Sequence, residues 1–150
     1  SMACIINSSD IKWILEKQPG LHFSNTHNVF YGTFSFSAKY KDQETINDHY
    51  HLEIRCNEHS DTPLPAIYET SGRISRMSRI LGIDTADLHV NYDNTLCIVR
   101  PDKFRLWYPK GFDIKIFEQN LTTHLYWLSY RERFGKEPWP GEKHGGNFRY

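Results

Sequence analysis

Asp87-Leu88-His89-Val90-Asn91-Tyr92-Asp93-Asn94-Thr95-Leu96-Cys97-Ile98-Val99-Arg100 sets a histidine, an asparagine and a cysteine within residues 89–97. Asp93-Asn94 is a turn signal between them, and Leu96 to Val99 reads as a short extended segment. A thiol becomes reactive when it is reachable, when its thiolate is stabilised, and when donors await the oxyanion formed on attack at a carbonyl. A polar loop running straight into Cys97 can meet all three conditions. The same cysteine, flanked by Leu96 and Ile98, also fits a small buried hydrophobe. Spacing alone does not separate the two readings.

Upstream of this stretch the pattern has period two. Phe30, Gly32, Phe34, Phe36, Ala38 and Tyr40 share one side of residues 28–40, with Tyr31, Thr33, Ser35, Ser37 and Lys39 on the other. That alternation predicts a half-buried antiparallel strand. A second strand is predicted from His49 to Cys56, with Tyr50, Leu52, Ile54 and Cys56 toward the core, which makes Cys56 a packing residue. His49, His51 and Glu53 alternate on the opposite face at metal-compatible spacing, but exposed strand polarity explains them more simply, and no metal site is assigned. Pro63-Leu64-Pro65 forbids a central strand in the loop 57–65. Ala66 to Ile74 can form a third strand, with Gly72 as a bulge or end. Arg73, Arg76 and Arg79, interleaved with Ile74, Met77 and Ile80, suit either a basic partner surface or one amphipathic turn with its arginines in water. The solvated turn is the simpler of the two.

Helical spacing frames the strands. Residues 4–18 predict a first helix, with Ser8, Ser9 and Asp10 as capping side chains, Ile11, Ile14, Leu15 and Gln18 recurring at helical spacing, and Pro19-Gly20 as its stop. Residues 112–134 give the strongest helix, with one stripe of Ile114, Phe117, Leu121, Leu125 and Leu128 ended by Gly135. Pro101 to Pro109 is irregular but carries Phe104, Leu106, Trp107 and Tyr108, so it is expected to pack down. The segment 135–150 is too rich in Pro and Gly for a regular element, and Trp139 is its expected anchor.

The chain has 150 residues, enough for one domain with a real core. Its formal net charge is zero, so bulk electrostatics recruit neither nucleic acid nor an anionic membrane. Aromatics make up 15% of the chain, which suits a compact core with aromatic surface left for partners. Three cysteines without framework spacing favour a reducing, cytoplasmic setting. No apolar run reaches spanning length and no signal peptide is visible. Residues 1–4 read as a terminus in which Ser1 is left from a tag. No cofactor motif occurs.

The predicted order is helix, antiparallel strands, proline-bearing loop, short strand, cysteine segment, tryptophan and long helix. With His89-Val90-Asn91 ahead of Cys97-Ile98-Val99, Trp107 after it and Pro63-Leu64-Pro65 before it, the chain over residues 5–134 resembles the ubiquitin-conjugating (UBC) enzyme family. That family has a His-Pro-Asn motif shortly before its catalytic cysteine. Here Val90 replaces the proline, the Asn91–Cys97 spacing is shorter than in eukaryotic members, and the tail Trp139-Pro140-Gly141-Glu142-Lys143-His144-Gly145 is unlike their carboxy-terminal helices. These features look more like the bacterial UBC-like proteins, some of which sit in antiphage operons of the CBASS type.

The resemblance implies an α+β UBC-like fold, with an antiparallel sheet of about four strands flanked by an N-terminal helix and a long C-terminal helix. It implies acyl transfer through a thioester on Cys97, with a lysine amine or other nucleophile as acceptor. Asn91 would hold its own loop or the oxyanion, and His89 would close the turn by a backbone hydrogen bond or act as general base. Asp87 and Asp93 are candidates to orient the amine, and His144 could fold back toward the thiol. The implied donor is a protein carboxy terminus, either of a ubiquitin-like protein or of a cGAS-like nucleotidyltransferase. A separate activating enzyme or an already activated donor would be needed, because 150 residues leave no room for an adenylating domain. Two rivals stand beside this reading: a non-catalytic UBC-like binding module, and a cysteine hydrolase using Cys97 and His89. The transferase reading expects Cys97 at the surface, in a shallow groove between the loops 87–95 and 100–110.

Overall fold

The computed structural model describes residues 2–56, 59–60 and 63–141. In chain order the elements are β1 (Met2–Ala3), α1 (Ser8–Lys17), β2 (Leu21–Ser24), β3 (Val29–Ala38), β4 (Ile46–Arg55), β5 (His59–Ser60), β6 (Ala66–Glu69), α2 (Arg73–Leu81), α3 (Phe104–Trp107) and α4 (Ile114–Phe134), with short 3-10 turns at Thr85–Leu88 and Pro101–Lys103. Strands β2, β3, β4 and β6 form one antiparallel sheet in that order, and β1 pairs with β5 apart from it. The architecture is α+β, with a four-stranded antiparallel sheet and a helix toward each end of the chain.

The period-two stretches become the two long central strands. Phe30, Phe34 and Phe36 of β3 and Tyr50, Leu52 and Ile54 of β4 are buried, and Cys56 follows them into the core. Register pairs Phe30 with Ile54 and Phe34 with Tyr50, so both apolar sets face the same layer. Across that layer α4 contributes Ile114, Phe117, Leu121, Leu125 and Leu128, all buried. Burying one such side chain is worth roughly 1.5–3 kcal/mol, so the sheet–helix layer supplies most of the cohesion. Asp113 caps α4, its carboxylate accepting from the Lys115 and Ile116 amides, and Gly135 ends it at φ 73°.

Several boundaries differ from the sequence reading. Helix α1 starts at Ser8 rather than residue 4, because Asn7 is the cap: its side chain accepts from the Asp10 amide, and Asp10 returns the bond to the Asn7 amide. Strand β2 has no counterpart in the sequence reading. It reaches its register through a close approach in which a Cβ on Gly32 would lie 2.4 Å from the Gly20 carbonyl oxygen, so glycine is required there. The third predicted strand stops at Glu69 instead of running to Ile74. The Glu69 carboxylate turns back to accept from the Ser71 and Arg73 amides, and Gly72 at φ 81° starts α2.

On α2, Ile74 and Met77 are buried while Arg76 and Arg79 face water, as the solvated reading expects. Arg73 departs from it. Its guanidinium forks onto Asp48 at 2.6 and 3.1 Å, reaches Glu132 at 2.7 Å and lies 4.2 Å over the Tyr50 ring. It thereby ties α2 to β4 and α4.

From Leu125 to Tyr130 every residue of α4 is buried, so the helix is covered on more than its sheet side. The chain after Gly135 supplies part of that cover. Trp139 stacks on Tyr126 and meets Tyr40 edge-on, and its carbonyl accepts from the Trp127 indole. The anchoring expected of Trp139 is present. No helix among the described residues is long and apolar enough to cross a membrane.

Candidate functional site

The turn from His89 to Cys97 is built from backbone bonds. Thr85–Leu88 buries Leu88 completely and leaves His89 in the left-handed region at φ 62°, which a histidine tolerates better than most side chains. Val90 and Leu96 then bridge antiparallel, the Leu96 amide donates to the Ile67 carbonyl of β6, and the Cys97 amide donates to the His89 carbonyl at 2.9 Å. The Asp93-Asn94 turn signal is met: the Asn94 amide returns to the Asn91 carbonyl, and Asn94 sits at φ 70°. The extended reading of Leu96 to Val99 is not, because only Leu96 forms a bridge.

Cys97 alone among the three cysteines is half-buried; Cys4 and Cys56 lie in the core. Burial pushes the Cys56 thiol up to about 12. It also raises the Cys4 thiol, with Cys56 and then Asp10 adding to the rise. Both therefore stay protonated and inert at neutral pH. The Cys97 Sγ lies 3.7 Å from the Val99 carbonyl oxygen, to which it donates.

Cys97 opens onto a groove of about 250 Å³, lined among others by His89, Trp107, His124, Trp127 and Gly141. Both loops expected at the thiol line it, through His89 on one side and Arg100, Lys103 and Trp107 on the other, and a helix joins them. The far wall of the groove is the Asn120–Trp127 face of α4, and the end of the described chain closes one side. The 101–109 segment packs down only in part: Phe104 and Tyr108 are buried, whereas Leu106 is 75% exposed and Trp107 stands half out at the groove. The Tyr108 hydroxyl donates to Asn120 at 2.7 Å and pins this segment to α4.

His89 and Asn91 take up different surroundings. His89 is buried, with its ring edge-on to Trp127 at 4.6 Å and to His124 at 5.9 Å. Gly141 presses on it so closely that a Cβ there would sit 2.5 Å from Nε2. Burial is the main cause that pushes its pKa down to about 4; the Glu137 charge opposes the shift, Arg131 adds to it, and Asp87 opposes it. His89 is thus neutral at pH 7, and its base strength is poorly matched to taking a thiol proton. Asn91 is exposed and does not line the groove. Its amide donates to the Thr95 hydroxyl at 3.0 Å, while the Asp93 carboxylate accepts from the Thr95 amide and hydroxyl. Both side chains brace their own turn. His144 lies outside the described residues, and Asp87 is exposed at the end of the 3-10 turn.

The structure therefore brings His89 and Cys97 to one groove and leaves Asn91 on the turn behind it. It adds His124, Trp127 and Trp139, which the sequence reading did not assign to the site. The available signal was the polar and aromatic stripe Asn120, Thr123, His124 and Trp127, at i, i+3, i+4 and i+7 beside the apolar stripe of the same helix. On the outer sheet face the rings of His49 and His51 meet at 5.7 Å, and among the described residues no three His, Cys, Asp or Glu side chains gather as a metal site. What the fold and site define is an α+β domain with one accessible cysteine in an aromatic-walled groove. No protein-family model, no curated protein and no solved structure matches the chain.

Proposed function

We propose that this protein is a UBC-like conjugating transferase. Cys97 takes the carboxy-terminal acyl group of a protein as a thioester and passes it to an amine. The observation that carries the reading is the contrast among the thiols: two are sealed in the core, and the third ends the 89–97 turn at the mouth of a groove. A groove walled by tryptophans and open on one side suits an extended protein tail better than an enclosed small molecule. In this reading His89 is a positioning residue that fixes the Cys97 backbone through its carbonyl. The donor would be a ubiquitin-like protein or the carboxy terminus of a cGAS-like nucleotidyltransferase in an antiphage CBASS setting, activated by a separate enzyme.

One observation favours the alternative of a non-catalytic UBC-like binding module. The Asn91 amide is spent on Thr95, so the turn does not aim it at the groove as an oxyanion donor. A synthetic glycyl thioester, used as a pre-activated donor, separates the readings. The transferase acquires an adduct that excess thiol removes and that Cys97→Ala never forms. A binding module acquires none.

A further inference from the structure

The groove holds a second histidine, from a different element than the cysteine turn. His124 sits on α4 between Asn120 and Trp127, all three lining the same groove as Cys97. Its neighbours of similar character on α4 serve packing: Glu118 meets Gln18, Asn120 receives the Tyr108 hydroxyl, and Ser129 lies between Tyr50 and Asp48. The His124 ring meets the His89 ring edge-on at 5.9 Å and lines the groove.

We propose that His124 is a catalytic proton acceptor for Cys97, an inference that rests on Cys97 being the acyl acceptor. The unprotonated ring nitrogen takes the Sγ proton, directly or through one water. The S–H bond breaks, an N–H bond forms, and the thiolate attacks the donor carbonyl carbon. As the tetrahedral centre collapses, the bond from that carbon to the donor's leaving sulfur or oxygen breaks. The imidazolium then returns its proton to that leaving group, which restores neutral His124 and leaves the acyl group on Cys97.

Several described groups surround the pair. On the turn, His89 is held neutral by burial and competes poorly for the proton. On the segment after the cysteine, Arg100 and Lys103 line the groove. Arg100 is itself paired with the Asp102 carboxylate, and the cations on this segment favour a thiolate over a thiol. Arg131 of α4 and Glu137 beyond it bear on His89 with opposite signs. A long helix is also a rigid platform for a group that must meet a sulfur at hydrogen-bond distance.

The test is the pH dependence of Cys97 alkylation by iodoacetamide, read by intact mass, which needs no donor. Cys97→Ala identifies the modified residue. The wild-type rate is expected to inflect about one to two pH units below the ordinary thiol value of about 8.5. His124→Gln is expected to return the inflection toward that value and to slow alkylation at pH 7 by roughly tenfold or more, with an unchanged thermal melt. His51→Gln, on the outer sheet face, is expected to keep the wild-type profile. A wild-type inflection already at the ordinary thiol value overturns the proposal, whether or not His124→Gln folds. So does a folded His124→Gln with the wild-type profile. A shift abolished by His124→Gln, but with no adduct from the glycyl thioester, supports His124 as the base and overturns the transferase reading instead.

Discussion

Replacing Arg73 with alanine removes the cation that joins three elements. Its side chain is 17% exposed and that of Asp48 16%, so the pair is largely withdrawn from water. Removing one partner of a buried ion pair costs about 3–5 kcal/mol. Residual exposure, and the bonds that Asp48 keeps to the Ser129 hydroxyl and the His49 amide, place this case at the low end. Glu132 is 36% exposed, and its arm of the network adds less than about 1 kcal/mol. The expected loss for Arg73→Ala is therefore about 3 kcal/mol, read as a lower urea midpoint at constant slope. Arg73→Lys keeps a charge but not the fork, and is expected to lose about half as much.

The pH dependence follows from Asp48. Burial works to raise its pKa, but hydrogen bonds from Arg73, Ser129 and the His49 amide, with the Arg73 charge, outweigh burial and lower it from 3.8. A carboxyl lowered on folding contributes stability that is complete above its unfolded value and is lost as pH falls through its folded value. The gap between wild type and Arg73→Ala should hold at neutral pH and close only in the acid range below 3.8. A gap under about 0.5 kcal/mol at pH 7, the size of an ordinary surface substitution, would refute the claim that this network binds α2 to the sheet and α4.

His89 gives an acid dependence of its own. Its pKa falls from 6.5 to about 4 on folding, so the unfolded chain binds the extra proton between those values and stability drops as pH falls through them. The drop amounts to about 3 kcal/mol, and His89→Asn, which suits the left-handed backbone, should flatten that part of the urea-midpoint profile. Cys56→Ala should cost about 1 kcal/mol through lost packing and leave any Cys97 adduct unchanged by mass; normal folding with a lost adduct would point to the wrong cysteine. Asn91→Ala removes a bond to Thr95 on an exposed turn. It should lower stability by under about 1 kcal/mol and change thioester loading and transfer together; a selective loss of transfer in single-turnover assays would instead make Asn91 an oxyanion donor.

Much of the fold could be read along the chain because its main layer is periodic. The alternation in β3 and β4 and the stripe on α4 assign each residue to a face without reference to anything distant. β2 was not readable, since four residues with one fully buried position carry too little alternation. The run Ala66 to Ile74 misleads because its composition suits a strand, while its fate is set by Glu69 folding back on the amides of a helix start. The site divides in the same way. Cys97 and its turn are local in sequence and could be found there. His124, Trp127 and Trp139 reach the groove only through the packing of α4 and the chain beyond it. The 100–110 loop does line the groove, as the sequence suggested, and the bond from Tyr108 to Asn120 brings α4 in as a further wall.

The central claim is that the sulfur of Cys97 carries the acyl group, and trapping tests it most directly. Cys97→Ser replaces the thiol with an alcohol, so an acyl group transferred there becomes an ester that survives excess thiol and yields to base. The measurement is peptide mapping by mass spectrometry after incubation with the glycyl thioester. The account predicts a thiol-labile adduct on Cys97 in the wild type, a thiol-resistant adduct on the serine of Cys97→Ser, and none in Cys97→Ala. An adduct that persists in Cys97→Ala, or that maps to Cys4, Cys56 or a lysine without first passing through position 97, contradicts it.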